Sequence, residues 1–149
     1  MGSLTLPPTG QVYLDTQAII YSVETHARYW RVLEPLWQTA RAGNLRLVST
    51  ELALMETLVG PLKSGDARLT TAYEQIFQSA EVELLSITRD ILREAARLRA
   101  LIPSLRTPDA LHAATALLAG CALFVTNDTG FRRVPGLPLT LLDDVLAAP

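Results

Sequence analysis

Four acidic side chains, Asp15, Glu56, Asp109 and Asp128, stand out for the chemistry they would do together. Asp15 and Asp128 each follow a short apolar run that reads as a buried strand, Gln11–Leu14 and Cys121–Val125. They therefore fall at the carboxyl ends of strands, where α/β sheets collect ligands. Asp109 lies in the first turn of a helix capped by Thr107, opened by Pro108 and stopped by Gly120, where amide N–H groups and the helix dipole favour a carboxylate. Glu56 sits among Leu52, Ala53, Leu54, Met55, Leu58 and Val59, so its burial would need a partner. Four carboxylates at one sheet edge repel one another and must either take up protons or share one or two Mg²⁺ or Mn²⁺ ions, the hard cations that oxygen ligands prefer. Such a set selects against zinc. Metals held by carboxylates suit attack by water on a phosphodiester, so hydrolysis of a nucleic acid is the natural use.

Each acid also has a plainer reading. Asp15 equally suits the cap of the helix that follows it. Glu56 suits a surface position or an arginine pair, and Glu51 is no substitute, because five residues turn a helix by about 500° and leave the two on different faces. His26 falls in a loop-like segment, while His112, three residues after Asp109 in an apolar helix, reads as a satisfied core histidine. Cys121 is the only cysteine and lies in an apolar strand, which rules out a disulfide framework or thiolate metal site within one chain and fits a reducing, cytoplasmic setting. No G-x-S-x-G elbow is present.

The elements that would carry these residues alternate between strand and helix. Residues 1–10 hold two prolines and two glycines without a period and read as a flexible lead-in; residues 11–149 read as one domain. After the first strand and its helix, Ala27–Ala42 reads as a helix with Tyr29, Leu33, Leu36, Trp37 and Ala40 on one stripe, either core or a groove for a partner segment. Leu45–Val48 is the second strand, and Ser49 or Thr50 caps a helix to about Val59, ahead of Gly60-Pro61. Leu69, Ala72, Tyr73, Ile76 and Phe77 mark an amphipathic helix. Val82–Ile87 is the third strand, with Thr88 capping a helix to about Leu101 whose Arg89, Arg93 and Arg97 share a face, either solvated or set for a phosphate backbone. Leu137–Leu142 closes the set as a fifth strand, with Asp143 and Asp144 capping a short terminal helix. A three-layer α/β domain follows, with a central, mostly parallel five-stranded sheet flanked by helices.

Composition sets outer limits. A formal net charge of -2 argues against a non-specific nucleic-acid coat. Lys63 is the only lysine, so positive charge is carried by arginine, the side chain suited to bidentate phosphate contact. No apolar run reaches the roughly 18 residues that span a bilayer, and no basic-then-apolar export signal opens the chain.

The segments VYLDTQAIIY at 12–21, STELALMETL at 49–58, TPDALHAATALLAG at 107–120 and LFVTND at 123–128 together resemble the PIN-domain nucleases, in particular the VapC-type toxins of toxin–antitoxin pairs. The resemblance covers the chain from about residue 11 to its end. It implies a five-stranded parallel sheet between helices, a Mg²⁺- or Mn²⁺-dependent endoribonuclease, a homodimer, and a small cognate antitoxin whose tail enters the active-site groove. By motif matching, Asp15, Glu56, Asp109 and Asp128 correspond in order to the family's four acids, and Thr126 to a hydroxyl that orients the site. Gln17 departs from the pattern, which often has Asn or Ser there. Alternatives are a PIN nuclease that processes RNA without an antitoxin, and a catalytically silent RNA- or protein-binding module. A receiver or haloacid-dehalogenase-like phosphatase fits poorly, because the first needs a late lysine and the second an acid at position 17.

Overall fold

The computed structural model describes residues 2–149; Met1, the first residue of the expected lead-in, lies outside the described residues. The chain runs β1 (Gln11–Leu14), α1 (Thr16–Val23), α2 (Trp30–Arg41), β2 (Arg46–Thr50), α3 (Leu52–Ser64), α4 (Ala67–Gln78), β3 (Val82–Leu85), α5 (Arg89–Leu101), α6 (Thr107–Ala119), β4 (Leu123–Thr126), a 3-10 turn (Thr129–Arg133), β5 (Leu139–Leu141) and α7 (Leu142–Ala147). The strands form one sheet in the order β3-β2-β1-β4-β5, and every pairing is parallel. This is the α/β architecture expected, with the sheet parallel throughout. Chain order reverses between β1 and β4, which makes their carboxyl ends the switch point where a crevice opens in such sheets.

Strand alternation divides the core in two. Val12, Leu14, Leu47 and Val125 point to a cluster that includes Leu33, Leu36, Trp37 and Tyr73 from α2 and α4. Tyr13, Val48 and Phe124 point to the opposite cluster, with Ile91, Ala95 and Leu98 of α5 and Ala110, Ala113, Ala114 and Ala116 of α6. The alanines are buried and small, which lets α6 lie close against the sheet. Gly120 ends that helix in the left-handed conformation, at φ +67°, where a Cβ would be strained.

Several boundaries differ from expectation. α3 does not stop at Val59: it runs through Gly60-Pro61 to Ser64, with Pro61 buried, and the stop is Gly65 at φ +71°. The apolar face continues past the proline, so packing overrides the breaker. Thr50 still helps the start, its hydroxyl accepting from the Leu52 amide, while Ser49 donates to the Leu14 carbonyl instead. α2 begins at Trp30, because the His26 carbonyl first closes a turn with the amides of Tyr29 and Trp30. Thr107 is the first residue of α6 and Arg106 takes the cap position. Residues 2–10 carry no helix or strand, but Leu4 and Leu6 pack against the first core cluster.

The aromatic stripe of α2 serves the core through Leu33, Leu36 and Trp37, and Trp30 and Trp37 also line a groove of about 370 Å³ beside α4. Arg93 and Arg97 pair with Asp90 and Glu94 on their own helix, so two of the three arginines on that face have local partners. Among the described residues no helix is long and apolar enough to cross a membrane.

Candidate active site

All four acids line one cavity of about 610 Å³ at the carboxyl ends of β1 and β4, together with Thr16, Gln17, Arg106, His112 and Asn127. The sequence separates Asp15 from Asp128 by most of the chain; the β1–β4 pairing, in which Leu14 faces Val125, brings their strand ends side by side.

Asp15 is only 5 % exposed and both its oxygens are engaged. Oδ1 accepts from the Ala18 amide at 2.9 Å, so the capping role and the cavity role belong to one side chain. Oδ2 accepts from the hydroxyl of the fully buried Thr126, which in turn accepts from the Asp128 amide at 3.0 Å. Burial pushes the Asp15 carboxyl up to about 6, against the opposing pull of the Thr126 hydroxyl and the Ala18 amide. Asp128 caps the 3-10 turn, accepting from the Gly130 amide at 2.8 Å.

Glu56 reaches the cavity from the second turn of α3, and its partners come from two distant elements. Its Oε1 accepts from Thr16 Oγ1 and from His112 Nε2, each at 2.7 Å. Burial works to raise its carboxyl, yet these hydrogen bonds prevail and hold it below the ordinary value. His112 is buried, as expected, but it is part of the cavity wall as well: one turn after Asp109 on α6, it meets Glu56 at one nitrogen and the Tyr13 hydroxyl at the other, at 2.7 Å. Burial keeps the Tyr13 phenol protonated far above the ordinary range. The sequence brings neither Thr16 nor Tyr13 to the site, and His112 only as a core residue. The spacing of three between Asp109 and His112 was the available signal, since it puts both on one helix face.

Asp109 is held more loosely. Its side chain is 18 % exposed and accepts from Arg106 Nε at 3.4 Å, while Arg106 itself is 79 % exposed. Arg106 is the one arginine or lysine lining the cavity. Asn127 is fixed by the chain's last helix: its amide donates to Tyr29 and Asp143, and its Oδ1 accepts from the Asp143 amide. Asp143 thus ties α7 to the β4 loop from within the helix's first turn; neither it nor Asp144 caps the helix, whose cap position is Leu141 with no side-chain hydrogen bond.

No three His, Cys, Asp or Glu side chains among the described residues converge closely enough to hold a metal ion. The donor class nonetheless fits a hard divalent cation, because four carboxylates share one cavity and the buried Asp15 bears a charge penalty that a cation would relieve. Cys121 is buried, its thiol pushed up to about 11, and lines no part of the cavity.

The sequence model of the PIN domain family matches residues 12–137, which carry all four acids. Comparison with curated proteins returns no match. Among solved structures, the chain is similar to a VapBC2 complex from Rickettsia felis bound to a DNA fragment from its promoter, at 24% identity and a TM-score of 0.70, covering 88% of this chain and 98% of that one. A DNA-bound VapBC from Salmonella typhimurium gives 20% identity and a TM-score of 0.70, over 91% and 99% of the two chains. VapBC-1 from nontypeable Haemophilus influenzae gives 19% identity and a TM-score of 0.66, over 89% and 98%.

Proposed function

This chain belongs to the PIN-domain family, and on that premise we propose that it is a metal-dependent endoribonuclease, the toxin of a VapC-type toxin–antitoxin pair. The single observation that carries the reading is the gathering of Asp15, Glu56, Asp109 and Asp128 around one cavity at the sheet's switch point. These four would hold one or two Mg²⁺ or Mn²⁺ ions. The chemistry supplied by such ions is activation of water and neutralisation of charge developing on the phosphodiester.

The chain's own residues do the rest. Thr126 orients Asp15 through its hydroxyl and gathers the Asp128 amide onto the same oxygen. Thr16 and His112 hold Glu56. Arg106, exposed at the rim beside Asp109, is placed to receive a backbone phosphate, the anion that guanidinium groups bind best. Gln17 lines the cavity.

A small antitoxin partner is part of the proposal, supported by the toxin–antitoxin complexes among the similar solved structures. So is a homodimer, supported by Met55, Val59 and Leu62, which lie exposed on one face of α3 at helical spacing. The deciding experiment is cleavage of a mixed RNA pool by the folded, antitoxin-free protein in Mg²⁺ or Mn²⁺, with and without chelator, beside Asp109→Asn. Cleavage that needs both the metal and Asp109 is expected; cleavage that survives chelation or the substitution overturns the reading.

A further inference from the structure

Unlike Asp15 and Asp128, Glu56 accepts from no backbone amide: it caps nothing and follows no strand, so side chains alone set its direction. Its Oε1 is taken by Thr16 and His112, and Oε2 has no hydrogen-bond partner among the described residues. The question is what sets His112. Tyr13 is fully buried, its ring stacked on Phe124 at 4.9 Å and edge-on to the imidazole at 5.8 Å, so the phenol has no room to turn away. Ser49, which also lies beside the phenol, spends its proton on the Leu14 carbonyl at 2.7 Å. A buried hydroxyl proton needs an acceptor, and His112 Nδ1 stands 2.7 Å away. A neutral imidazole that accepts at one nitrogen carries its proton on the other.

Building on the proposed metal-held site, we infer that Tyr13 and His112 are positioning residues for Glu56. The Tyr13 hydroxyl donates to Nδ1 and locks His112 in its Nε2–H tautomer; Nε2–H and the Thr16 hydroxyl then pin Oε1, which leaves Oε2 as the oxygen free to bind. Tyr13 belongs to the core cluster under α5 and α6, so the orientation of an acid in the cavity is set from the inside of the protein.

Nitrogen NMR of the histidine-labelled chain reads this arrangement without metal or substrate. His112 is expected to carry its proton on Nε2, with Nδ1 bare, and Tyr13→Phe to shift the Nδ1 signal as its donor is lost, the Glu56 carboxylate still holding the proton on Nε2. A proton on Nδ1 in the parent overturns the inference. The same proteins are then titrated with Mn²⁺ alone. His112→Leu is expected to weaken Mn²⁺ binding by about 30-fold and Tyr13→Phe by about threefold, in line with the effects of partners that orient metal ligands. His112→Gln, whose amide N–H reaches the Nε2 position, is expected to bind within about fivefold of the parent. If it binds no better than His112→Leu, while both melt alike, the positioning role is lost. If the parent binds no Mn²⁺ and cuts no RNA, the nuclease reading falls, and the tautomer measurement still decides the hydrogen-bond arrangement.

Discussion

The cavity has two halves built on different principles. Asp15 and Glu56 are held by side chains from distant elements, through Thr126, Thr16, His112 and Tyr13, nearly all of it buried. Asp109 and Asp128 are held by neighbours in sequence, Arg106 three residues before one and the Gly130 amide two residues after the other, with Arg106 and Asp128 exposed. The sheltered half is part of the core, and altering it changes stability and chemistry together. The open half is attached to the core and is free to meet a substrate. Carboxylates of the same type therefore carry different energetic burdens.

The largest effects set the halves apart by stability. Asp15→Asn and Asp109→Asn should each reduce metal-dependent cleavage by on the order of 100-fold or more, because each removes a ligand charge. Their melting temperatures should diverge. Asp15→Asn removes a buried charge that the fold bears at a penalty, but offers one acceptor where the Ala18 amide and the Thr126 hydroxyl both donate, so the melting temperature of its metal-free form should move by several degrees at pH 7. Asp109→Asn should melt within about 1 °C of it. Equal shifts in calorimetry would erase the distinction.

The same difference should appear as a pH dependence. Asp15 titrates at about 6 in the fold and near the ordinary carboxylate value, about 4, when unfolded. Between those values the folded protein binds more protons, so this group lowers stability as pH rises from about 4 to about 6, with no further loss above. Glu56, held below its ordinary value, works the other way and loses its contribution as pH falls. Subtracting the Asp15→Asn stability curve from the parent's isolates the first group, and a flat difference across that window would show that Asp15 is not charged at a penalty.

Thr126→Val tests the sheltered half without touching an acid. It keeps the shape but strips Asp15 Oδ2 and the Asp128 amide of their shared partner, and should cost about 1–3 kcal/mol in denaturant unfolding and about tenfold in cleavage. The smallest stability effect belongs to the rim. Arg106→Ala breaks an exposed pair and should change stability by less than about 0.5 kcal/mol, while weakening RNA binding several-fold and flattening its salt dependence. A large stability loss there would mean the rim is not independent of the core.

The same division governs what the sequence made legible. β1 has the bounds its sequence predicts, and the Thr88 cap of α5 and the Gly120 stop of α6 stand where local signals place them, because each depends on residues a few positions apart. The four acids were read as a group from their places at strand ends and helix starts, and they do share a cavity. The partners of Glu56 were not read. Thr16 lies 40 residues from it and His112 lies 56, while Tyr13 and His112 are 99 apart; such contacts depend on strand order, which local patterns do not determine. The run of α3 through Pro61 was missed for a related reason, since burial against the core outweighs a local breaker.

The pairing of β1 with β4 has a consequence for synthesis. Asp15 emerges early and Thr126 late, so the sheltered half can close only after more than a hundred further residues have been added. At about 5–20 residues per second, that interval is on the order of 5–20 s per chain. Until Thr126 is added this proposed RNA-cutting protein has an incomplete site, and the ribosome making it handles a message that the nascent chain is not yet built to cut.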